Sequence, residues 1–287
     1  MTLSLHWIAL FLAVPALLFA DLRWTGFALL VLAYGAALIV GQLSAPALLV
    51  IALLAVAAYA ISPRRSRLIR IAGHALFIAL AIGLGLHAWP GFHNERVIVS
   101  ERMTPDALPF TMFLNLDKPL TGFWLLLALP GLAAARRTAV TLNTTLLCVL
   151  PTAVACLCAA QLLGVVHWAP KLPPDSILWA LNNLLLVSFA EEALFRAYLQ
   201  GGLTRLLAHD HRGEWIALCM SAVLFGLAHA AGGWQWIVLA TIAGAGYGVA
   251  YRYGGLRAAV LTHFGLNAAH FFLFTYPMLQ AHPGVHA

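Results

Sequence analysis

Charge is what this sequence has least of. Only 9% of its 287 residues are charged and 62% are hydrophobic, whereas a soluble domain carries about 25% charged residues. Mean hydropathy is +0.89. This composition excludes a soluble enzyme with a single anchor and implies an integral membrane protein with many spans. The net charge of +6 does not point to nucleic acid. The basic residues fall in short clusters between apolar runs, and no basic surface domain is present to grip phosphates. Cysteine is also scarce. Cys148, Cys156, Cys158 and Cys219 all lie in apolar runs and none forms a CxxC pair. They read as small buried hydrophobes rather than as a disulfide framework or a zinc site. No basic n-region opens the stretch Met1 to Ala20, and another apolar run follows almost at once. It therefore reads as a first span and not as a cleaved signal peptide. Internal repeats and low-complexity segments are absent.

What is there is a succession of apolar runs, each long enough to cross a bilayer at about 20 residues per span. They fall at about 4–20, 24–41, 45–62, 71–90, 119–134, 140–163, 177–199, 215–231, 234–251 and 256–276. The expected fold is all-α, a polytopic transmembrane helix bundle of about ten spans. Gly41-Gln-Leu-Ser-Ala-Pro46 is a turn-like interruption, and the alternative is that the second and third runs form one bent element. With the N-terminus outside, the inside connections hold Arg23, Arg64, Arg65, Arg67, Arg70, Arg136, Arg137, Arg205, Arg212, Arg252 and Arg257. The outside connections hold Arg96, Arg102, Lys118 and Lys171. The excess of inside arginines predicts N-out and C-out in a cell (inner) membrane. The one long polar connection, 92–118, alternates enough around Val97-Ile-Val-Ser-Glu101 to form a short hairpin or surface helix. Gly244 and Gly248 have the small-xxx-small spacing that lets another helix approach closely.

The acidic residues are informative by position. Eight of the ten lie in loops or at span ends, and only Glu191 and Glu192 lie deep in an apolar run. An ionisable group at that depth is a functional-site hypothesis, because charge in hydrocarbon loses its hydration. Neighbours on a helix point about 100° apart, while residues four apart share a face. Arg196 is therefore expected to neutralise Glu192, leaving Glu191 unpaired and facing a polar cavity. The alternative is a structural ion-pair network. Phe225-Gly-Leu-Ala-His229 ends the eighth run. His263-Phe-Gly-Leu-Asn267 opens the tenth and places two hydrogen-bonding groups on one face, suited to an oxyanion or to an interhelical hydrogen bond. His74, His87 and His270 read as packing or interfacial residues.

Taken together, Glu191-Glu192-x-x-x-Arg196, Phe225-x-x-x-His229 and His263-x-x-x-Asn267, in that order on successive helices, resemble the three motifs of the CPBP family. That family contains the type II CAAX prenyl endopeptidases and the bacterial bacteriocin-processing and immunity-type proteins. The resemblance covers roughly 177–276 and implies an intramembrane endopeptidase. In the roles it implies, Glu191 is the base, His229 shares the water and protonates the leaving amine, and His263 and Asn267 form the oxyanion hole. Glu192 and Arg196 support Glu191, and Phe225 lines the pocket. Residues 119–287 would form the protease region and 1–118 an accessory transmembrane region.

No cofactor is expected on this reading. The alternative is a zinc metalloprotease with Glu191, His229 and His263 as ligands, although the His-Glu-x-x-His signal of zincins is missing. A third reading is a non-catalytic immunity or peptide-binding protein. The expected partners are the lipid bilayer and a membrane-associated protein or peptide substrate, with no nucleic acid. A conical, water-filled cavity in the C-terminal half, open to the cytosolic side, is expected to hold all four reacting residues. For that, the eighth span must start deep, break or tilt.

Overall fold

The computed structural model describes residues 3–133 and 136–280. The chain ends, whose outer placement is expected, lie outside the described residues. The chain is mostly helical and divides into two compact units. The first unit comprises residues up to Glu95, Leu114–Ala134 and Leu185–Leu194. The second comprises Arg96–Phe113, Ala135–Leu184 and the residues from Phe195 onward.

The first unit is built on four helices, α1 (Leu5–Leu17), α2 (Arg23–Ile39), α3 (Ala45–Ala60) and α4 (Arg67–Gly85). The second and third runs of the sequence are thus two helices with a turn between them, not one bent element. The Ser66 hydroxyl caps α4 by accepting from the Ile69 N–H at 3.4 Å, which satisfies an orphan donor of the first turn. Ile69, Ile71, Ile78 and Ile82 of α4 stay exposed, as a lipid-facing surface requires. The fifth helix, α5 (Lys118–Ala128), departs from expectation. At 1.5 Å per residue its eleven residues reach only about 16 Å, too short for a span. Asp117 caps its start, Pro119 occupies its first turn, and the chain leaves helical geometry at Leu129 ahead of Pro130. The run from Pro119 to Leu126 is buried throughout. The Trp124 indole donates to the Leu54 carbonyl at 2.6 Å and stacks on Phe77 at 3.9 Å. An apolar run that reads as a lipid-crossing helix is here an inner half-helix.

The second unit holds a two-stranded hairpin, α6 (Thr138–Leu162), most of α7 (Ser176–Leu206), α8 (Gly213–Leu227) and α9 (Trp234–Leu273). The strands β1 (Glu95–Glu101) and β2 (Phe110–Leu114) realise the hairpin option for the 92–118 connection. Ile98 and Met112 pack with Trp179 and Phe271 in one buried cluster, and Trp179 stacks on Phe271 at 3.9 Å. Around the hairpin, His167 pairs with Asp106 at 2.9 Å, Leu108 donates to the Met278 carbonyl at 2.9 Å, and Lys171 donates to the Phe274 carbonyl. Burial pushes the Lys171 ammonium down to about 8, with Asp106 opposing.

Helix α9 runs through forty residues but breaks at Gly255, where φ is 77° and ψ −171°. Only glycine adopts that conformation readily, and the break separates the ninth and tenth apolar runs. Gly244 packs against Ala222 and Phe225 of α8, the packing use expected of its spacing.

Among the described residues four helices are long and apolar enough to cross a membrane: Ala20–Ile39, Arg67–Gly85, Thr138–Leu162 and Ser176–Leu206. Leu5–Leu17, Ala45–Ala60 and Gly213–Leu227 are shorter apolar helices. The cysteines depart in part from expectation. All four are free, but only Cys156 is buried, while Cys158 and Cys219 are exposed on the outer surface of apolar helices.

Candidate active site

Helix α7 carries the acidic pair. Its hydrogen bonding widens to the π pattern over Asn183–Ser188 and again over Ala193–Gln200, leaving Phe189–Glu192 as a single α turn between. Such wide turns re-aim side chains and occur often at functional sites. Glu192 is completely buried and Glu191 nearly so. Glu191 is not unpaired, contrary to the sequence reading. The Lys118 ammonium, at the start of α5, lies 2.5 Å from its Oε1. By sequence Lys118 reads as a loop residue, whereas it is the first residue of α5. The turn behind it is held firmly. Asp117 is 1% exposed. It accepts from His87 Nδ1 at 2.7 Å, from the Asn94 amide at 3.1 Å and from the Lys118 N–H at 2.8 Å. The Asn94 Oδ1 accepts from the Leu116 N–H at 2.9 Å.

In the second unit, α8 is fifteen residues long, or about 22 Å at 1.5 Å per residue. It ends at Leu227, and the chain turns through Ala230–Gly232 to Gly233 (φ 95°). His229 therefore sits in a turn just beyond the helix, so the eighth run breaks there. Its Nδ1 is 2.8 Å from the Phe225 carbonyl. A carbonyl only accepts, so Nδ1 carries a proton and donates it there, leaving Nε2 out of that bond.

Phe225 stands between the other pieces. Its ring is 4.7 Å from that of His229 and 5.8 Å, edge-on, from His263. His263 stacks on Tyr247 at 4.4 Å. The Asn267 amide donates to Asn183 Oδ1 at 3.2 Å. The Arg196 guanidinium is fully buried, lies 5.0 Å over Phe225, and donates to Ser221 Oγ at 2.9 Å. Ser221 in turn donates to the Phe195 carbonyl at 2.7 Å.

These side chains surround one cavity within the second unit. Phe225, His229, His263 and Asn267 line it together with Tyr247 and His270, and its remaining wall is largely aliphatic, including Leu157, Val166, Leu239 and Leu266. Glu191 and Glu192 belong to the first unit. Among the described residues no three His, Cys, Asp or Glu side chains group as metal ligands do.

Residues 173–269 match the family model for Rce1-like proteins, described as Type II CAAX prenyl endopeptidase Rce1-like. The chain carries an Rce1-like region. No curated protein and no solved structure matches the chain. The Rce1-like match agrees with the CPBP resemblance of the motifs and takes in every residue from Glu191 to Asn267. With the apolar helices, it supports an integral membrane protein and a CAAX-type protease.

The match leaves out α1 to α6 and Lys118. Sequence reasoning missed Lys118, Asn183, Ser221 and Tyr247. Asn183 had a usable signal, since Asn182-Asn183 puts two amides into an apolar run shortly before the acidic pair. Lys118 had only its place at the edge of an apolar run.

Proposed function

We propose that the protein is an intramembrane endopeptidase of the glutamic type, hydrolysing a peptide bond near the C-terminus of a membrane-associated protein or peptide. Glu191 acts as general base on a water molecule, with no cofactor. His229 shares that water through Nε2 and then protonates the leaving amine. His263 and Asn267 donate to the tetrahedral oxyanion. The observation that carries the reading is the convergence of Phe225, His229, His263 and Asn267 on one cavity within the Rce1-like stretch. The Nδ1–H tautomer of His229 is the one the water-sharing role needs. Asn267 uses one amide hydrogen on Asn183 and has a second for the oxyanion. Arg196 holds Phe225 in place, and Glu192 supports the helix that carries the base.

Around this site we place a polytopic helix bundle in the cell membrane. Residues 119–287 form the protease region and 1–118 an accessory region. The test is cleavage of an internally quenched farnesylated CAAX peptide by the purified protein in lipid nanodiscs. Glu191→Gln and His229→Ala each lower kcat by at least about 100-fold, the scale of a lost general acid or base, while both variants insert and purify as the wild type does. Cleavage that survives both substitutions means that the protein is not this enzyme and points to peptide binding or immunity instead.

A further inference from the structure

The Rce1-like stretch begins at residue 173, yet the acidic pair within it is met by a side chain from outside it. We infer that Lys118 is a positioning residue for Glu191, fixing the orientation of its carboxylate. The inference rests on the reading of Glu191 as the base.

Three observations carry it. The first is the ion pair itself, at 2.5 Å between a side chain 27% exposed and one 12% exposed. A charge-assisted hydrogen bond of this kind gives the carboxylate one fixed partner and so one fixed orientation.

The second is the rigidity of the mount. Lys118 is the first residue of α5, and its own N–H is held by Asp117, which is itself buried and gripped by His87 and Asn94. A lysine on a mobile loop would not return its ammonium to one place.

The third is the register between α5 and the acidic turn. A Cβ at Gly122 would lie 2.7 Å from the Phe189 ring and 3.1 Å from the Ala190 Cα. The absent side chain therefore seats α5 directly on the residues preceding Glu191. Phe123 adds a ring contact to Phe189 at 5.6 Å.

The experiment uses the full chain in nanodiscs and the quenched farnesylated CAAX peptide. Lys118→Met lowers kcat by about 100-fold, the cost of a misplaced catalytic group, and leaves KM within about twofold, since Lys118 is not assigned to the substrate. Lys118→Arg restores most of kcat. A Lys118→Met variant with the kcat of the wild type, or a loss that Arg does not relieve, overturns the inference and leaves the role of Glu191 untouched. A Glu191→Gln variant with full kcat overturns the underlying reading instead.

Folding gives an independent arm. Removing Lys118 alone takes the cation from a largely buried carboxylate, whereas removing both partners leaves no charge behind. Lys118→Met therefore melts below the double variant Lys118→Met/Glu191→Gln. If the single variant cannot be recovered, recovery of the double supports the pairing. A double variant that also fails to fold overturns it.

Discussion

At the scale of single residues, the site is a problem of holding polar groups where hydrocarbon penalises them. Each group has its own partner. The Lys118 ammonium meets Glu191, the Phe225 carbonyl meets His229, a Tyr247 ring face covers His263, and Asn183 accepts from Asn267. The Asn267 amide makes its role separable from binding. Asn267→Ala lowers kcat of peptide cleavage by about 100- to 1,000-fold with KM little changed, as loss of an oxyanion donor does. A fall confined to KM would instead assign Asn267 to substrate binding. The motif residues could be singled out because each motif is short and local in sequence, although His229 lies in a turn beyond its helix and Arg196 in a widened one. Lys118 could not be, because its contact with Glu191 spans 73 positions and depends on where a short helix happens to begin.

At the scale of elements, the apolar runs showed where helices lie but not how far each one reaches. Hydropathy measures the length of a run, and α5 and α8 are both shorter than their runs because backbone geometry stops them, at Leu129 ahead of Pro130 and at the turn before Gly233. The widened turns of α7 leave no periodic trace in a segment apolar on most faces, so the aim of Glu191 could not be read from a uniform 100° wheel. Gly255 is the element-scale hinge with a testable consequence. It fixes the direction of the helix that carries His263 and Asn267, and its backbone conformation is open to glycine almost alone. Gly255→Ala destabilises the protein by about 1–3 kcal/mol, the usual cost of such strain, read as a lower midpoint in denaturant. It also lowers kcat by moving both oxyanion donors. An unchanged midpoint would mean that the break at Gly255 is not required by the fold.

At the scale of the molecule, sparse charge and short basic clusters between apolar runs mark a membrane protein from composition and pattern alone. The exposed apolar surfaces of α4 and α6, such as Ile78 and Leu146, fit that reading. The division into two packing units was not legible, since Leu185–Leu194 leaves the middle of one continuous helix with the first unit and its flanks with the second. Glu191 and Lys118 belong to the first unit, and His229 and His263 to the second.

The central claim is that this chain hydrolyses peptide bonds at the membrane through Glu191. Its most direct test is the C-terminal peptide map, by mass spectrometry, of membrane proteins from cells carrying either the wild-type chain or Glu191→Gln at equal abundance. The account predicts a set of shortened C-termini present with the wild type and replaced by their longer precursors with the variant. Identical C-termini in the two membranes would contradict it.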